Sequence, residues 1–385
     1  MEMTIGIIRL IIISWFVSEI YEMVSFQELY EAYLSCRKNK RNSISALKFE
    51  LDLISNLWKL YYEINSKVYI PKRYISFLAH SPKTREVFAS DFSDRIVHHL
   101  LVNDLEPLFE PKFIFDSYSC RKEKGIHLAI QRTQKFSRKE QNKFYMQLDI
   151  KNFFLSIDKN ILFDLIEIRL NEISSKDPSF AKIERVKYLS HKVIFDDPTT
   201  KYIFKGKKAE YKHLPKHKSL LFTPKNRGLP IGNLTSQFFA NFYMNPFDNY
   251  VKRVLKGDYI RYVDDFIIFG KNKEELIEKK AKMELFLAEK LNLSIKDNTR
   301  ILPVDSGIDF LGYITRPKYI LVRKRVVNNF KYKLAKFRIS KKNQASLILL
   351  KQQFASYMGH FQHANSYNLI SKYSKILDFE MGSNK

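Results

Sequence analysis

The chain of 385 residues is 45% hydrophobic and 14% aromatic, with only 11 Gly and 12 Pro, which is the composition of a folded globular protein and excludes a disordered one. Its length allows two or three compact units. Lys and Arg number 66 against 41 Asp and Glu, so the net charge of +25 indicates a polyanionic partner, with nucleic acid favoured over an anionic membrane.

The chain begins with an apolar run from Ile5 to Val17. Arg9 interrupts this run, which is shorter than the roughly 20 residues that cross a bilayer and lacks a small-residue cleavage site. We therefore expect neither a membrane span nor a signal peptide, and we take Met23 as the native start, with residues 1–22 as a non-native or disordered leader. Two cysteines without zinc-ligand spacing favour a reducing, cytoplasmic location.

Predicted elements of the first part of the chain alternate between helix and strand. Residues 26–70 have mainly helical spacing of apolar positions, and Pro71 ends that stretch. A strand-like passage at 74–78 and a basic loop at 81–85 come next. A second helical stretch covers residues 91–108.

From residue 144 the pattern indicates a strand followed by a helix. Residues 144–150 form a buried-type apolar strand, and residues 159–170 have helical spacing. Residues 172–227 are polar and basic, and we predict an irregular insertion there. A Gly/Pro turn at 228–232 leads into an apolar helix at 236–247.

The excess of positive charge is concentrated in two regions. Residues 201–227 contain nine Lys or Arg against one acidic residue, and residues 316–385 contain fifteen against two. In the second region a helix with one apolar stripe is predicted from four residues: Val326, Phe330, Leu334 and Phe337. Cations beside that stripe are candidate nucleic-acid ligands: Lys324, Lys331, Lys333, Lys336 and Arg338. A solvated helix face is the alternative.

Three aspartates form the candidate catalytic group. Asp264 and Asp265 lie between two short apolar, β-prone runs, which predicts a hairpin with both acids at its tip, and Asp149 lies near the end of another apolar strand. Paired acids next to apolar residues need a compensating cation, and carboxylate oxygens suit Mg²⁺. We expect a site for two Mg²⁺ ions, or Mn²⁺, made by Asp149, Ile150, Asp264 and Asp265, that carries out phosphoryl transfer. Ordinary turn chemistry is the alternative for the Asp pair alone.

The motifs around these acids resemble those of reverse transcriptases. Residues 147–154 are similar to the first palm motif of that family, and residues 262–265 are similar to its catalytic hairpin. A third motif is similar to the primer grip of the family and consists of Phe310, Leu311, Gly312 and Tyr313. The likeness covers roughly residues 26–370 and implies an RNA-directed DNA polymerase with an α+β, right-hand polymerase fold. The implied domains are N-terminal helices and fingers at 23–143, a palm at 144–314 that contains the 172–227 insertion, and a short basic helical thumb at 315–385.

The same resemblance implies residues that bind the nucleotide. Lys83 and Arg85 would hold the incoming triphosphate, with Arg121 as a weaker candidate, although each also suits a plain surface cation. Phe154, five residues after Asp149, would lie beneath the sugar and exclude a 2′-hydroxyl, with core packing as the alternative.

Residues 228–237 resemble the reverse transcriptases of diversity-generating retroelements. Ile231 stands where most reverse transcriptases carry Gln, and Gln237 stands where most carry Pro. Members of that family copy a template-repeat RNA into cDNA that is mutated at adenines, and they work with a basic, pentameric accessory protein. The apolar Ile231 side chain makes no hydrogen bond, which would let mispairs with adenine survive, unless it is a packing residue.

One feature departs from the family pattern. Family members commonly have Lys-Thr shortly before the primer grip, whereas this chain has Asn298-Thr299, and Lys296 is the nearest substitute for a nucleotide-binding lysine. The remaining alternatives are a retron, group II intron-like or antiphage reverse transcriptase, and a catalytically idle RNA-binding scaffold. Ile231 and Gln237 argue against the first group, and the three intact aspartates argue against the scaffold.

Overall fold

The computed structural model describes residues 22–38, 43–80, 83–174, 182–339 and 344–382, so all but the last residue of the predicted leader lies outside the described part. In chain order the helices are α1 Phe26–Arg37, α2 Ile44–Glu50, α3 Leu53–Asn65, α4 Phe92–Phe109, α5 Ile126–Ser137, α6 Phe153–Ser156, α7 Lys159–Ser174, α8 Ile183–Ile194, α9 Leu234–Asn249, α10 Lys273–Leu291, α11 Lys324–Ile339, α12 Gln344–Phe361 and α13 Tyr367–Gly382. The strands are β1 Tyr74–Ala79, β2 Arg85–Ala89, β3 Phe144–Asp149, β4 Tyr202–Phe204, β5 Tyr259–Tyr262, β6 Asp265–Gly270, β7 Arg300–Pro303, β8 Ile308–Phe310, β9 Tyr313–Thr315 and β10 Ile320–Val322.

The chain divides into two compact units, and each is assembled from separate stretches of sequence. The first unit comprises the chain up to Phe113 together with Lys151–Pro246 and Phe286–Ser294. The second unit comprises Ile114–Ile150, Phe247–Leu285 and the chain from Ile295 onward. The linear fingers, palm and thumb boundaries stay a prediction.

The first unit contains a three-stranded sheet with the order β2-β1-β4. β1 and β2 are antiparallel, whereas β4 pairs in parallel with β1. The prediction of an irregular insertion at 172–227 is therefore wrong for two segments, α8 and β4. The buried apolar positions of α8, which are Val186, Leu189 and Ile194, have helical spacing, and the prediction overlooked it within a polar, basic stretch.

A buried arginine links three helices of the first unit. The Arg185 side chain on α8 is almost fully buried and donates both to Asp104 on α4 and to Glu28 on α1, at 2.7–3.1 Å. It also donates to the carbonyl of Met23, at 2.7 Å. Ser25 and Glu28 form a reciprocal capping box at the start of α1. One guanidinium therefore fixes the beginning of the described chain.

The second unit is built on an antiparallel four-stranded sheet with the order β5-β6-β3-β7. Its core combines sheet residues with apolar residues of α5 and of the smaller sheet β8-β9-β10. The predicted strand at 144–150 and the predicted hairpin are confirmed within one residue at their ends.

The last part of the second unit is helical, as predicted. Phe330, Leu334 and Phe337 of α11 are buried against α12 and α13, and Val326 packs beside them. The cations Lys324, Lys331, Lys333 and Lys336 on this helix are exposed, and the Arg338 side chain lies outside the described residues. Among the residues that the structure describes, none of the helices combines the length and apolar character that a bilayer crossing requires.

Candidate active site

Asp264 and Asp265 lie at the tip of the β5-β6 hairpin. Tyr262 pairs with Asp265, so the connection is a two-residue turn of Val263 and Asp264. Val263 has a φ of 60°, in the left-handed region that a β-branched side chain rarely adopts. Such a conformation costs about 1–3 kcal/mol and persists only where surrounding contacts impose it.

A buried ion pair imposes this turn. The Arg261 guanidinium has no solvent exposure and donates to the Asp248 carboxylate of α9 at 2.6 and 2.8 Å. Its Nη1 donates to the Val263 carbonyl at 2.9 Å, and its Nη2 donates to Ser117 Oγ at 3.2 Å. Arg261 therefore binds the backbone of the turn that carries the two acids.

Strand β3 brings the third acid to the same place. Asp149 is the register partner of Asp265, and the Ile150 N–H donates to the Asp264 carbonyl at 3.2 Å. The sequence predicted that Asp149 meets the two acids at the hairpin tip, and the sheet register brings all three together. Ile150 has a buried side chain, so only its main chain is available to a ligand.

The local electrostatics favour a bound cation. Burial, together with the charges of Asp149 and Asp264, raises the pKa of Asp265 to about 7, against a hydrogen bond from Gln147 Nε2 at 3.1 Å. One oxygen of Asp149, Oδ1, is buried without a hydrogen-bond partner. Its other oxygen, Oδ2, accepts from Lys296 Nζ at 2.6 Å.

Three clustered carboxylates with an orphaned oxygen fit a hard divalent ion such as Mg²⁺ or Mn²⁺. Within the described residues, no three acidic, His or Cys side chains are already arranged as a metal-binding group. The ammonium of Lys296 lies against Asp149, which leaves that carboxylate engaged. The residues that would hold the ions are Asp149, the main chain of Ile150, Asp264 and Asp265.

Two of the predicted nucleotide-binding residues in the first unit, Phe154 and Ile231, lie at the segment 228–232. The Leu229 N–H donates to the Phe154 carbonyl at 2.8 Å, and the Phe88 N–H of β2 donates to the Ile231 carbonyl at 3.0 Å. Gly232 has a φ of 116°, and a Cβ there would lie 2.7 Å from the side chain of Val87. The backbone thus joins Phe154, Ile231 and the strand that begins at Arg85.

The other predicted nucleotide ligands have differing surroundings. Lys83, Arg85 and Gln237 are exposed in the first unit. Arg121 belongs to the second unit, where its Nη1 donates to the carbonyls of Ile114 and Ser117 at 2.7 and 2.8 Å. These contacts make Arg121 a brace of the local backbone.

The predicted primer grip is the tight β8-β9 turn. Leu311 and Gly312 both have positive φ at its tip, whereas the flanking Phe310 and Tyr313 side chains are buried. Tyr313 Oη contacts His127 Nδ1 at 3.2 Å and donates to the His360 carbonyl at 2.8 Å. Tyr313 therefore ties the turn to α5 and α12, and Leu311 is partly buried against the core of the second unit.

Sequence reasoning missed the residues that support the site. Arg261 is a charge within an apolar strand, and Asp248 is an acid within an apolar helix, so each was a detectable anomaly. Gln147 lies in the motif at 147–154, which assigns it no role. No sequence pattern identifies His360 as the partner of Tyr313.

A comparison with family models decides the identity. Residues 70–315 match the model described as reverse transcriptase (RNA-dependent DNA polymerase). The chain belongs to the reverse transcriptase family. This membership, with the mixed helices and sheets described above, confirms the predicted α+β right-hand polymerase fold and the predicted RNA-directed DNA polymerase class.

This reverse transcriptase has distant curated relatives. It is 24% identical over 298 residues to protein YkfC of Escherichia coli K12, covering 67% of each chain. It is 23% identical over 290 residues to the group II intron-encoded protein LtrA of Lactococcus lactis subsp. cremoris, covering 65% of this chain and 46% of LtrA.

Solved telomerase structures also match this reverse transcriptase. Apo telomerase from Candida tropicalis aligns with a TM-score of 0.45 and 12% identity, over 64% of this chain and 48% of that chain. Telomerase from Candida albicans, in complex with a fragment of telomeric RNA, aligns with a TM-score of 0.45 and 13% identity, over 82% and 61%. The chain thus spans about half to three fifths of these telomerase chains.

Proposed function

We propose that this reverse transcriptase extends a primer on an RNA template with deoxynucleotides, with Asp149, Asp264 and Asp265 holding two divalent ions. The observation that carries the proposal is the β3-β6 register, which pairs Asp149 with Asp265 beside the turn residue Asp264. When bound, such ions activate the 3′-hydroxyl and stabilise the charge of the leaving pyrophosphate. The protein contributes placement of the carboxylates through Arg261 and β3.

The test is Mg²⁺-dependent primer extension on RNA with the Asp264→Asn/Asp265→Asn double variant. We expect extension to fall by at least about 10³-fold, since charge stabilisation of this kind contributes that much or more to transfer rates. Asp305→Asn, an exposed acid elsewhere in the second unit, is the matched control. Undiminished extension by the double variant would refute the proposed site.

The nucleotide contacts are also proposals. Lys83 and Arg85 would bind the triphosphate as an ammonium and a forked guanidinium, which suits phosphate oxygens. Gln237 would adjoin the nucleotide, and Arg121 would do so as well while its Nη1 keeps its bonds to the Ile114 and Ser117 carbonyls. The exposed cations of α11 would bind the phosphates of the template and primer strands.

The finer function that we propose is that of a diversity-generating retroelement enzyme, which copies a template-repeat RNA into adenine-mutated cDNA. Its support is the segment from Ile231 to Gln237, whose two distinguishing residues differ from most reverse transcriptases. A basic pentameric accessory protein and a cytoplasmic location belong to the same proposal.

Sequencing of cDNA made in vitro tests this finer function. We expect substitutions concentrated opposite template adenines, and we expect Ile231→Gln to reduce them because a Gln amide can report on the geometry of the base pair. Ile231→Val, which keeps an apolar side chain, is the control. A low and base-independent error rate in the unaltered enzyme would exclude mutagenic copying.

A group II intron-like enzyme is the second candidate, favoured by the match to LtrA over 290 residues. The DNA beside the gene distinguishes the two candidates. Near-identical repeats that differ at adenines would support diversification, whereas an intron RNA structure would support the second candidate.

A further inference from the structure

Lys296 is held against Asp149 by two separate contacts. Its backbone N–H donates to the Asp149 carbonyl at 2.9 Å, and its Nζ donates to Asp149 Oδ2 at 2.6 Å. The neighbouring residues Ile150 and Ile295 form a β-bridge. Backbone pairing therefore places the Lys296 ammonium beside the Asp149 carboxylate.

The ammonium also compensates a local excess of negative charge. Asp149, Asp264 and Asp265 lie together, and the charge of Lys296 acts on Asp265 as well as on Asp149. Divalent ions at these carboxylates would bring positive charge to the same oxygens. A fixed ammonium and a metal ion on Asp149 would repel each other, so the two are alternatives.

We propose that Lys296 is an internal counter-cation that occupies Asp149 in the metal-free enzyme and is displaced when a divalent ion binds. This inference rests on the proposed metal site and adds a residue that sets its affinity. Displacement is feasible because the side chains of Lys296 and Asp149 are 39% and 37% exposed, so the ammonium can move into solvent.

The proposal has a consequence opposite to that of a metal-supporting residue. Removing the ammonium frees Asp149 Oδ2, so divalent ions should bind more tightly. A partly exposed ion pair competes only weakly, and we expect Lys296→Met to tighten binding by about two- to fivefold. Lys296→Arg keeps the positive charge and should bind the ion close to the unaltered level.

Direct Mn²⁺ titration followed by electron paramagnetic resonance measures this affinity without catalysis. The full-length chain is compared with Lys296→Met, Lys296→Arg and Lys279→Met. Lys279 is the matched control because its ammonium also lies 2.6 Å from a carboxylate, that of Glu275 on the same helix, α10. Unchanged or weaker Mn²⁺ binding by Lys296→Met would overturn the proposal.

A second measurement covers the case in which Lys296→Met is destabilised. The rise in melting temperature on adding Mg²⁺ reports the affinity of the folded protein for the ion. We expect this rise to be larger for Lys296→Met than for Lys279→Met. Equal rises would contradict displacement.

The failures of the two proposals are distinguishable. If Asp149→Asn and Asp264→Asn leave Mn²⁺ binding unaltered, the proposed metal site is wrong, and displacement is refuted with it. If these variants weaken binding but Lys296→Met does not strengthen it, only the role of Lys296 fails.

Discussion

At the scale of single residues, the structure ties the hairpin that carries the proposed catalytic acids to a fully buried side chain. Arg261 is fully buried, and its Nη1 donates a hydrogen bond to the Val263 carbonyl. The left-handed φ of Val263 is thereby held in place, with Asp264 immediately after it. We regard Arg261 as a positioning residue.

Substitutions at Arg261 and Asp248 distinguish the effect of Arg261 on protein stability from its effect on the position of the turn. Arg261→Met leaves Asp248 buried without its partner, so we expect a loss of about 3–5 kcal/mol in the free energy of unfolding. Adding Asp248→Asn removes the buried charge and should restore much of that stability, because Asn still offers an acceptor to Tyr259. Primer extension by this double variant should stay low, since Val263 still lacks its donor. Full recovery of extension would show that Arg261 is structural only.

Phe154 is the second residue whose role a substitution can test. We expect Phe154→Val to admit ribonucleotides, because a smaller side chain leaves room for a 2′-hydroxyl. Competing dNTP and rNTP incorporation measures the ratio, which should shift toward ribonucleotides by at least about tenfold. Phe115→Ala, a change at an aromatic residue that is 65% exposed, serves as the control. An unchanged ratio of ribonucleotide to deoxynucleotide incorporation would indicate that Phe154 only packs in the core.

At the scale of elements, Arg185 joins α8 to α1 and α4. Burial alone would raise the pKa of Glu28, but hydrogen bonds from Arg185 and Lys182 outweigh it and hold that pKa well below its ordinary value of 4.5. A lowered folded-state pKa stabilises the fold above pH 4.5, and this contribution is lost as the pH falls below it. Through Glu28, the contacts of Arg185 are therefore an acid-sensitive attachment of α1, whereas burial raises the pKa of Asp104, which acts in the opposite sense.

We expect Arg185→Met to lower the free energy of unfolding by about 3–5 kcal/mol at pH 7, because it strands buried Asp104. Urea unfolding at pH 7 and pH 4 measures the effect, which should be smaller at the lower pH. Lys187→Met on the same helix is the control, since its exposed pair with Glu167 contributes about 0–1 kcal/mol. An equal loss of unfolding free energy in both variants would contradict the role of Arg185.

Elements were predictable from the sequence where apolar periodicity was uninterrupted. The strand at β3 and the helix stripe of α11 follow from spacing alone. Helix α8 has the same kind of spacing but was overlooked within a polar, basic stretch, and β4 is only three residues long. In the site, the sequence identified the three aspartates by their motifs. It gave no sign of Arg261 bonding to Val263 or of Lys296 bonding to Asp149, because those contacts depend on side-chain direction and register.

At the scale of the whole molecule, the net charge of +25 leads us to expect that the proposed binding of RNA is sensitive to salt. Each phosphate contact contributes roughly 0.7–0.9 to the slope of log affinity against log salt concentration. Lys324, Lys331 and Lys333 are exposed on α11 and are the candidates for such contacts.

Replacing these three lysines with Gln should reduce that slope by about 2 and weaken binding of RNA regardless of sequence. Fluorescence anisotropy with labelled RNA over a range of salt concentrations measures the slope. A matched triple change at Lys280, Lys282 and Lys290 on α10 removes the same charge from a helix that also carries acids. An equal reduction by both triples would assign the effect to net charge and not to α11.

Because the Arg261–Asp248 ion pair has no solvent exposure, we expect the hairpin turn to withstand salt concentrations that weaken RNA binding. Counterions that compete for phosphates have no access to a guanidinium and a carboxylate with no exposed surface. We therefore expect concentrated salt to weaken the proposed binding of template, and we expect added template to overcome that inhibition. Washing the immobilised protein with molar salt should strip co-purifying RNA, and turnover should return on dilution.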